Sequence, residues 1–547
     1  MVFNTIDIVV FVAYCLLIIT LGIVVSREKK GHVKNSQDYF LASKALPWWA
    51  VGASLIASNI SAEQFIGMSG SGFALGLAIS TYEWMAAATL LVVAIFFLPI
   101  YLKEGIYTMP QFLNRRYDGR VRTVMAIFWL LIYVFVNLTS VLYLGALSLE
   151  TIMGVPLNYG IAGLALFAMV YSIYGGLKAV AWTDVVQVVF LVAGGLATTY
   201  LALSMVGDGS VLDGLGLLRK EAPKHFSMIF EKGELMIPDG VGGERDAYLD
   251  LPGISVLVGG MWIVNLSYWG CNQYITQRAL AAKSLNEAQK GMIFAGFLKL
   301  LMPVIVVVPG IAAYVIVQQG GDSSFIDSMT DPITGMIKSD RAYPTLLQLL
   351  PAGLKGLAFA ALTAAIVSSL ASMANSTSTI FTIDIYRQFI DKNVPEGMQV
   401  TIGRITAVVA FVIAAIVAPQ LATLDQAFQY IQEYTGFVSP GVLAIFLFGF
   451  FWKKTTSNSA LTAAALTIPL SALFKFITPN LPFLDRMGLV FLILAVLMVI
   501  MSLVEGKGKD SEKAIEIDKE LFSTSSKFKV GAVLICGILI ALYTVFW

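Results

Sequence analysis

The stretch SNISAEQF, residues 58 to 65, decides how this chain is read. It lies inside an apolar run, residues 48 to 72, that carries Trp48, Trp49, Val51, Leu55, Ile56, Ile60, Phe65 and Ile66. A run of this kind is long enough to cross a bilayer as a helix, which takes about 20 residues. Yet Ser58, Asn59, Ser61, Glu63 and Gln64 crowd its middle, and Gly67, Gly70 and Gly72 follow. Polar side chains at membrane depth are costly unless they face protein, water or a ligand. Backbone released from a helix is tolerated there only where it lines a cavity. The expectation is a helix broken near residues 57 to 62 whose freed carbonyls hold a cation.

Composition agrees with a membrane setting. Of 547 residues, 57% are hydrophobic and 13% charged, about half the charged share of a soluble protein. The fold class expected is an all-α polytopic membrane protein. A net charge of +1 gives no footing for nucleic acid. Cys15, Cys271 and Cys536 lie in apolar segments without metal spacing or a disulfide framework. His32 and His225 fall in loops, which argues against a histidine-based site. The N-terminus, MVFNTIDIVV, lacks the basic start and small-residue cleavage site of a signal peptide, so its apolar run is expected to be a retained helix.

Fourteen apolar windows are candidate spans: about 6–26, 47–71, 75–101, 122–149, 157–174, 180–205, 251–277, 290–317, 345–382, 402–419, 425–451, 459–477, 483–503 and 529–546. Basic residues cluster in every second loop, among them Arg27, Lys29, Lys30, Lys34 and Lys44, then Lys103, Arg115, Arg116, Arg120 and Arg122, then Arg278, Lys283 and Lys290. The alternation places those loops in the cytoplasm and both termini outside. The long loop 206–250 is acidic and is expected to be an ordered external loop, being short for a domain.

A second span, 251–277, is interrupted by NLSYWGCNQY, residues 265 to 274, five helices after SNISAEQF. Paired broken helices in corresponding places point to a transporter built from inverted repeats. The expected division is a first helix and cytoplasmic loop at 1–46, repeat one at 47–205, the external loop at 206–250, repeat two at 251–451, and three further helices with a charged linker at 452–547.

Oxygen ligands suit a hard cation such as sodium. Ala365, Ser368, Ser369 and Ser372 share one helix face. The two hydroxyls of Ser368 and Ser369, with carbonyls near Ala57 and Ile60, would serve. A stripe of small residues that packs two helices has the same spacing. Mid-span polar groups form a second set: Gln64, Glu83, Asn137, Asn265, Asn272, Lys299 and Gln432. Amides with one acid and one ammonium offer donors and acceptors together, which suits a neutral, hydroxyl-rich solute. For any single amide, helix–helix hydrogen bonding is the favoured reading; a buried ammonium such as Lys299 is less readily explained that way. Tyr82, Tyr268, Trp269 and Phe428 lie beside these groups.

YSIYGGLKAVAWTDVVQ, residues 171 to 187, resembles the signature of the solute:sodium symporter family. SNISAEQFIGMSGSG, FVNLTSVLYLG, AAIVSSLASM and AFQYIQEYTG extend the resemblance over nearly the whole chain. It implies a LeuT-like core of two inverted five-helix repeats with fourteen helices, in the bacterial inner membrane, and sodium-coupled uptake of galactose or glucose with no cofactor beyond the coupling ion. Carried over by residue, the implied sodium ligands are the carbonyls of Ala57, Ile60 and Ala365 and the hydroxyls of Ser368 and Ser369. The implied sugar contacts are Gln64, Glu83, Asn265, Lys299 and Gln432, with Asn137 and Ser61 nearby. Tyr268 corresponds to an inner gate supported by Asn137, and Met68, Tyr82 and Phe428 to an outer gate. Asp184 corresponds to an acid on the sodium exit path. Ala86 stands where the family's galactose pattern has a serine, and Ser267 where it has a tyrosine. Ala365 brings no hydroxyl, which implies one sodium per sugar. The rival readings are a symporter of the same family for an amino acid, sialic acid or other anion, and a membrane enzyme or sensor. The sequence carries no nucleophile–base pair or phosphate loop to favour the last.

Overall fold

A computed structural model describes residues 3–26, 44–106, 108–238, 243–332, 334–423 and 426–547. Most of the first basic loop, residues 27–43, and the side chains of residues 171 and 173–179 in the signature lie outside the described residues.

The chain is helical almost throughout. In order, α1 is Thr5–Ser26, α2 Trp48–Asn59, α3 Ser69–Leu75, α4 Thr81–Val92, α5 Gly119–Leu131, α6 Thr139–Met153, α7 Leu157–Val206, α8 Gly260–Cys271, α9 Gln273–Leu280, α10 Leu285–Gln318, α11 Leu354–Ile380, α12 Glu396–Val417, α13 Ala427–Thr435, α14 Ser439–Phe451, α15 Ser457–Ile477, α16 Phe483–Gly506 and α17 Ser526–Val545.

α11 is buried along nearly its whole length, as expected of a helix at the centre of a bundle. Its small residues allow close approach. A methyl added at Gly194 of α7 would lie 3.3 Å from Ala358, and one at Gly356 only 2.4 Å from the Asp7 carbonyl. The buried Asp7 carboxylate in turn accepts from the N–H groups of Gly353 and Gly356 at 2.8 and 3.1 Å. This ties α1 to the start of α11, where free N–H groups favour an anion.

Ten helical stretches are long and apolar enough to cross a membrane, or twelve if two bent pairs each count as one span, among the described residues. Fourteen were expected, and the difference arises at breaks. The 47–71 segment is split into the short α2 and α3. The 345–382 segment does count as a span, but it is divided: a short helix, Ala342–Gln348, ends before Pro351, and α11 starts at Leu354 after Gly353 at φ +82°. The stretch leading into α8 bends by 77°, and α13 and α14 meet at 45°. The expected pair 157–174 and 180–205 forms the single helical run α7. Its two arms nevertheless flank one level of α11. Leu164 and Ile366 both crowd Gly145, and Asp184 bonds Ser368. Residues 20 apart in a straight helix would be about 30 Å apart, so the run is not straight.

Several charges counted as loop residues are buried. Arg116 donates to the carbonyls of Gly449, Trp452 and Thr455 at 2.8, 3.0 and 3.2 Å. It thereby caps the C-terminal end of α14, where a cation is favoured. Arg122 pairs with the buried Asp384 at 2.8 Å. Arg278 is fully buried in α9.

The acidic stretch 206–250 is ordered in its described part. It contains a helix, Val211–Glu221, and an antiparallel hairpin of β1 (Met236–Pro238) and β2 (Glu244–Asp246) that pairs Met236 with Asp246. Its turn Pro223–Phe226 packs on Gly76–Ser80. Gly76 has φ +67°, and an added Cβ would lie 2.3 Å from the His225 carbonyl, so only glycine fits. The His225 ring stacks on Tyr314 at 4.0 Å, and its Nε2 meets the Phe73 carbonyl at 3.0 Å. Burial pushes this imidazole down to about 4, partly opposed by the hydrogen bond. The docked form therefore binds fewer protons than the released form between about pH 6.5 and 4. Docking is complete above that window and weakens as pH falls through it. Hydrogen-exchange protection factors in residues 210–235, which are rates corrected for the intrinsic pH dependence of amide exchange, are expected to be lower at pH 5 than at pH 7.5, and the difference to vanish in His225→Phe.

Candidate functional site

The break in the first polar span lies at Ile60 and Ser61. α2 ends with Ile60 in an extended conformation, φ −76° and ψ 94°, and helical structure resumes as a π-helical turn over Glu63–Met68. Side chains of SNISAEQF satisfy the break. Ser61 N–H, which would bond the Ala57 carbonyl in a continuous helix, donates to Gln64 Oε1 at 3.2 Å. Glu63 N–H donates to Ser61 Oγ at 3.2 Å. Carbonyls at the end of α2 are thereby released.

Ser369 of α11 faces them. Its hydroxyl lies 3.3 Å from the Ala57 oxygen and 3.4 Å from the Ser58 oxygen. These are long for O–H···O bonds, which cluster near 2.7–2.8 Å. They match the spacing of neighbouring ligands around one ion. Sodium is close in size to calcium, whose oxygens lie at about 2.3–2.6 Å, and two such ligands at right angles are about 3.4 Å apart. Ala365 is one turn away on the same helix and, like Ile60, fully buried.

Ser368 is placed differently. Its hydroxyl donates to Asp184 Oδ1. Ser54 Oγ donates to Asp184 Oδ2 at 2.6 Å, and Arg278 lies 4.0 Å from the same oxygen. Arg278 also donates to Ser58 Oγ at 3.0 Å and to Ser372 Oγ. Asp184 thus sits in a buried polar layer directly beside the serine stripe. Donation to a carboxylate leaves the lone pairs of Ser368 free and enriches them, so the hydroxyl can still accept a cation.

The second polar set gathers around Lys299. Its ammonium meets Glu83 Oε2 at 2.5 Å and Asn59 Oδ1, and it lies 5.0 Å from the centroid of the Trp269 ring. Asn59 Nδ2 donates to Tyr268 OH at 3.0 Å, and Tyr268 pairs with Tyr274 at 2.6 Å. Gln432 shares a cleft of about 40 Å³ with Tyr268, Ser267 and Asn272. Outside it, Tyr82 and Phe428 meet edge to face at 5.2 Å, and Met68 is buried.

Other expected contacts are not part of this chain of bonds. Asn265 donates to the Met261 carbonyl of its own helix at 3.2 Å. Asn137 Oδ1 is buried without a hydrogen-bond partner among the described residues, and Tyr268 is held by Asn59 and Tyr274 instead. The second interrupted span breaks at Asn272, φ −87° and ψ 126°. Tyr133 OH donates to Asn272 Oδ1 at 2.5 Å and accepts from Gln273 N–H at 3.0 Å.

Sequence reading gave no role to Asn59, Ser54 or Tyr274, and counted Arg278 as a loop charge. Asn59 had a signal: an amide adjoining the expected break, with both donor and acceptor. Arg278 had none, since its partners Ser58 and Ser372 are 220 and 94 residues away.

A helical membrane bundle with a broken helix, released carbonyls facing a serine, and a buried polar cluster beside them defines an ion-coupled carrier. The chain belongs to the sodium:solute symporter family, whose sequence model matches residues 39–466. It is 53% identical over 548 residues to the sodium/glucose cotransporter of Vibrio parahaemolyticus, covering 99% of this chain and 98% of that protein. It is 35% identical over 465 residues to the sodium/myo-inositol cotransporter 2 of Homo sapiens, covering 83% of this chain and 67% of that protein. A solved structure, the substrate-bound outward-open state of a Na+-coupled sialic acid symporter, superposes with a TM-score of 0.78 at 21% identity over 94% of this chain and 100% of that one. The fold is the LeuT-like arrangement of two inverted five-helix repeats.

Proposed function

We propose that this chain carries one sodium ion and one neutral hexose, glucose or galactose, across a bacterial inner membrane in the same direction by alternating access, and that it is a carrier and not an enzyme. In this reading both termini are extracytoplasmic, and the repeats occupy 47–205 and 251–451. The observation that carries the proposal is the continuity of residues 57–59. The carbonyls of Ala57 and Ser58 face Ser369, and the next side chain, Asn59, joins Lys299 to Tyr268. An ion that draws α2 to α11 therefore repositions the groups that meet the sugar and its inner gate.

Sodium favours one conformation only if it binds that state better. The oxygens supplied by the break and by α11 provide the difference, because relative movement of the two helices separates them. Glu83, Lys299, Gln64 and Gln432 offer hydrogen bonds to hydroxyls, and the Glu83–Lys299 charges cancel, which suits a neutral solute. One charge crossing 100 mV contributes about 2.3 kcal/mol, and a tenfold sodium gradient about 1.4. Together they support roughly 500-fold accumulation.

Uptake of labelled glucose and galactose into proteoliposomes is expected only with an inward sodium gradient, and is expected to rise when the interior is made negative. Sodium-independent uptake would contradict the reading. Unlabelled myo-inositol and sialic acid belong in the competition panel, since relatives named for inositol share this family. Strong competition by sialic acid would favour a carrier for an organic anion.

A further inference from the structure

A cavity of about 350 Å³ opens beside the start of α2. It is lined by Trp48, Ile293, Phe294, Phe297 and Phe528, with Lys290 and Lys527 also in its wall. The lining comes from three helices, α2, α10 and α17. Trp48 and Phe294 meet edge to face at 5.7 Å, and Phe528 is buried beneath the exposed Lys527. Glu287 accepts from Trp48 N–H at 2.9 Å and from Lys290 at 3.2 Å, so it fixes both the aromatic wall and one ammonium at the rim.

The depth of this cavity follows from α10. Lys290 precedes Lys299 by nine residues, about 13 Å along a helix, and half the hydrocarbon thickness is about 15 Å. With Lys299 bonded beside the mid-membrane break, Lys290 lies where hydrocarbon gives way to headgroups. Trp48 and Trp49 are both partly exposed there, at the level where tryptophan anchors collect. Lys283 and Lys529 are exposed nearby in sequence on the same elements. An apolar aromatic slot at membrane depth, closed at the interface by ammonium groups, complements a phosphate headgroup joined to acyl chains.

We propose that this cavity is a binding site for one anionic phospholipid, its phosphate between Lys290 and Lys527 and a chain along Phe294, Phe297 and Phe528. The lipid would brace α2, which carries the break, against α10, which carries Lys299.

Native mass spectrometry of the purified full chain tests this. Phosphatidylglycerol and phosphatidylcholine with the same acyl chains are added separately, and inorganic phosphate is added in a third arm. One phosphatidylglycerol per chain is expected to survive at micelle stripping that removes phosphatidylcholine. Each of Lys290→Gln and Lys527→Gln is expected to lower its affinity about fivefold, and the double variant about 30-fold, from the attraction of one basic side chain each. The Lys290→Arg/Lys527→Arg variant, which keeps the charge, is expected to retain the lipid. Lys507→Gln/Lys509→Gln, in the charged linker, is expected to change nothing. Equal retention of the two lipids, unchanged retention in the double glutamine variant, or an equally strong adduct with phosphate alone would overturn the proposal.

Discussion

Replacing Ser369 by alanine is expected to weaken sodium binding by roughly 10- to 150-fold and to abolish sodium-driven sugar uptake at low sodium. The range is the worth of one hydrogen-bond-type contact to a charged group, about 1.5–3 kcal/mol. Ser369 is the side chain whose oxygen faces both released carbonyls, at 3.3 and 3.4 Å. Alanine keeps the helix and the packing, since α11 already carries Ala364 and Ala365 at its centre. The loss should therefore appear as a raised sodium requirement with near-normal thermal stability. Uptake should return in part when sodium is raised tenfold. If Ser369→Ala instead lowers stability and leaves the sodium requirement unchanged, the stripe is packing.

Replacing Lys299 by alanine is expected to have the largest effect on the protein itself. Lys299 and Glu83 are nearly fully buried and pair at 2.5 Å. Removing one member of such a pair leaves an uncompensated charge, at a cost of about 3–5 kcal/mol. Lys299→Ala should lower the thermal midpoint sharply and eliminate uptake. The Glu83→Ala/Lys299→Ala double variant should recover much of the stability, because no lone charge remains, yet should still not transport. A double-mutant cycle of midpoints measures the coupling. Stability and uptake returning together in the double variant would mean that the pair is structural and does not meet the solute.

The break was legible because physics leaves few uses for SNISAEQF at that depth. Polar groups that cannot pair with lipid must pair with something else, and the structure shows them pairing with the broken backbone itself, Ser61 with Glu63 and Gln64 with Ser61. The serine stripe was legible as a face, but not its division of labour. Nothing in the spacing of Ser368 and Ser369 says that one turns to Asp184 and the other to Ala57. The number of spans was the least secure feature, because hydropathy windows run across bends such as the 77° turn before α8, and because the windows 157–174 and 180–205 fall in one continuous helical run, α7. Arg278 illustrates the general limit. Near a loop, a charge with its acceptors far along the chain looks like any solvated arginine, and only the folded chain brings Ser58, Ser372 and Asp184 around it.

The central claim is that the carbonyls released at residues 57–60 and the hydroxyl of Ser369 hold the coupling ion. Equilibrium binding of radioactive sodium to the purified protein, with and without sugar, tests it most directly. One sodium per chain is predicted, bound more tightly when sugar is present, with the affinity lost in Ser369→Ala and kept in Asn265→Ala. Sodium binding that is the same in Ser369→Ala as in the unaltered protein would contradict it.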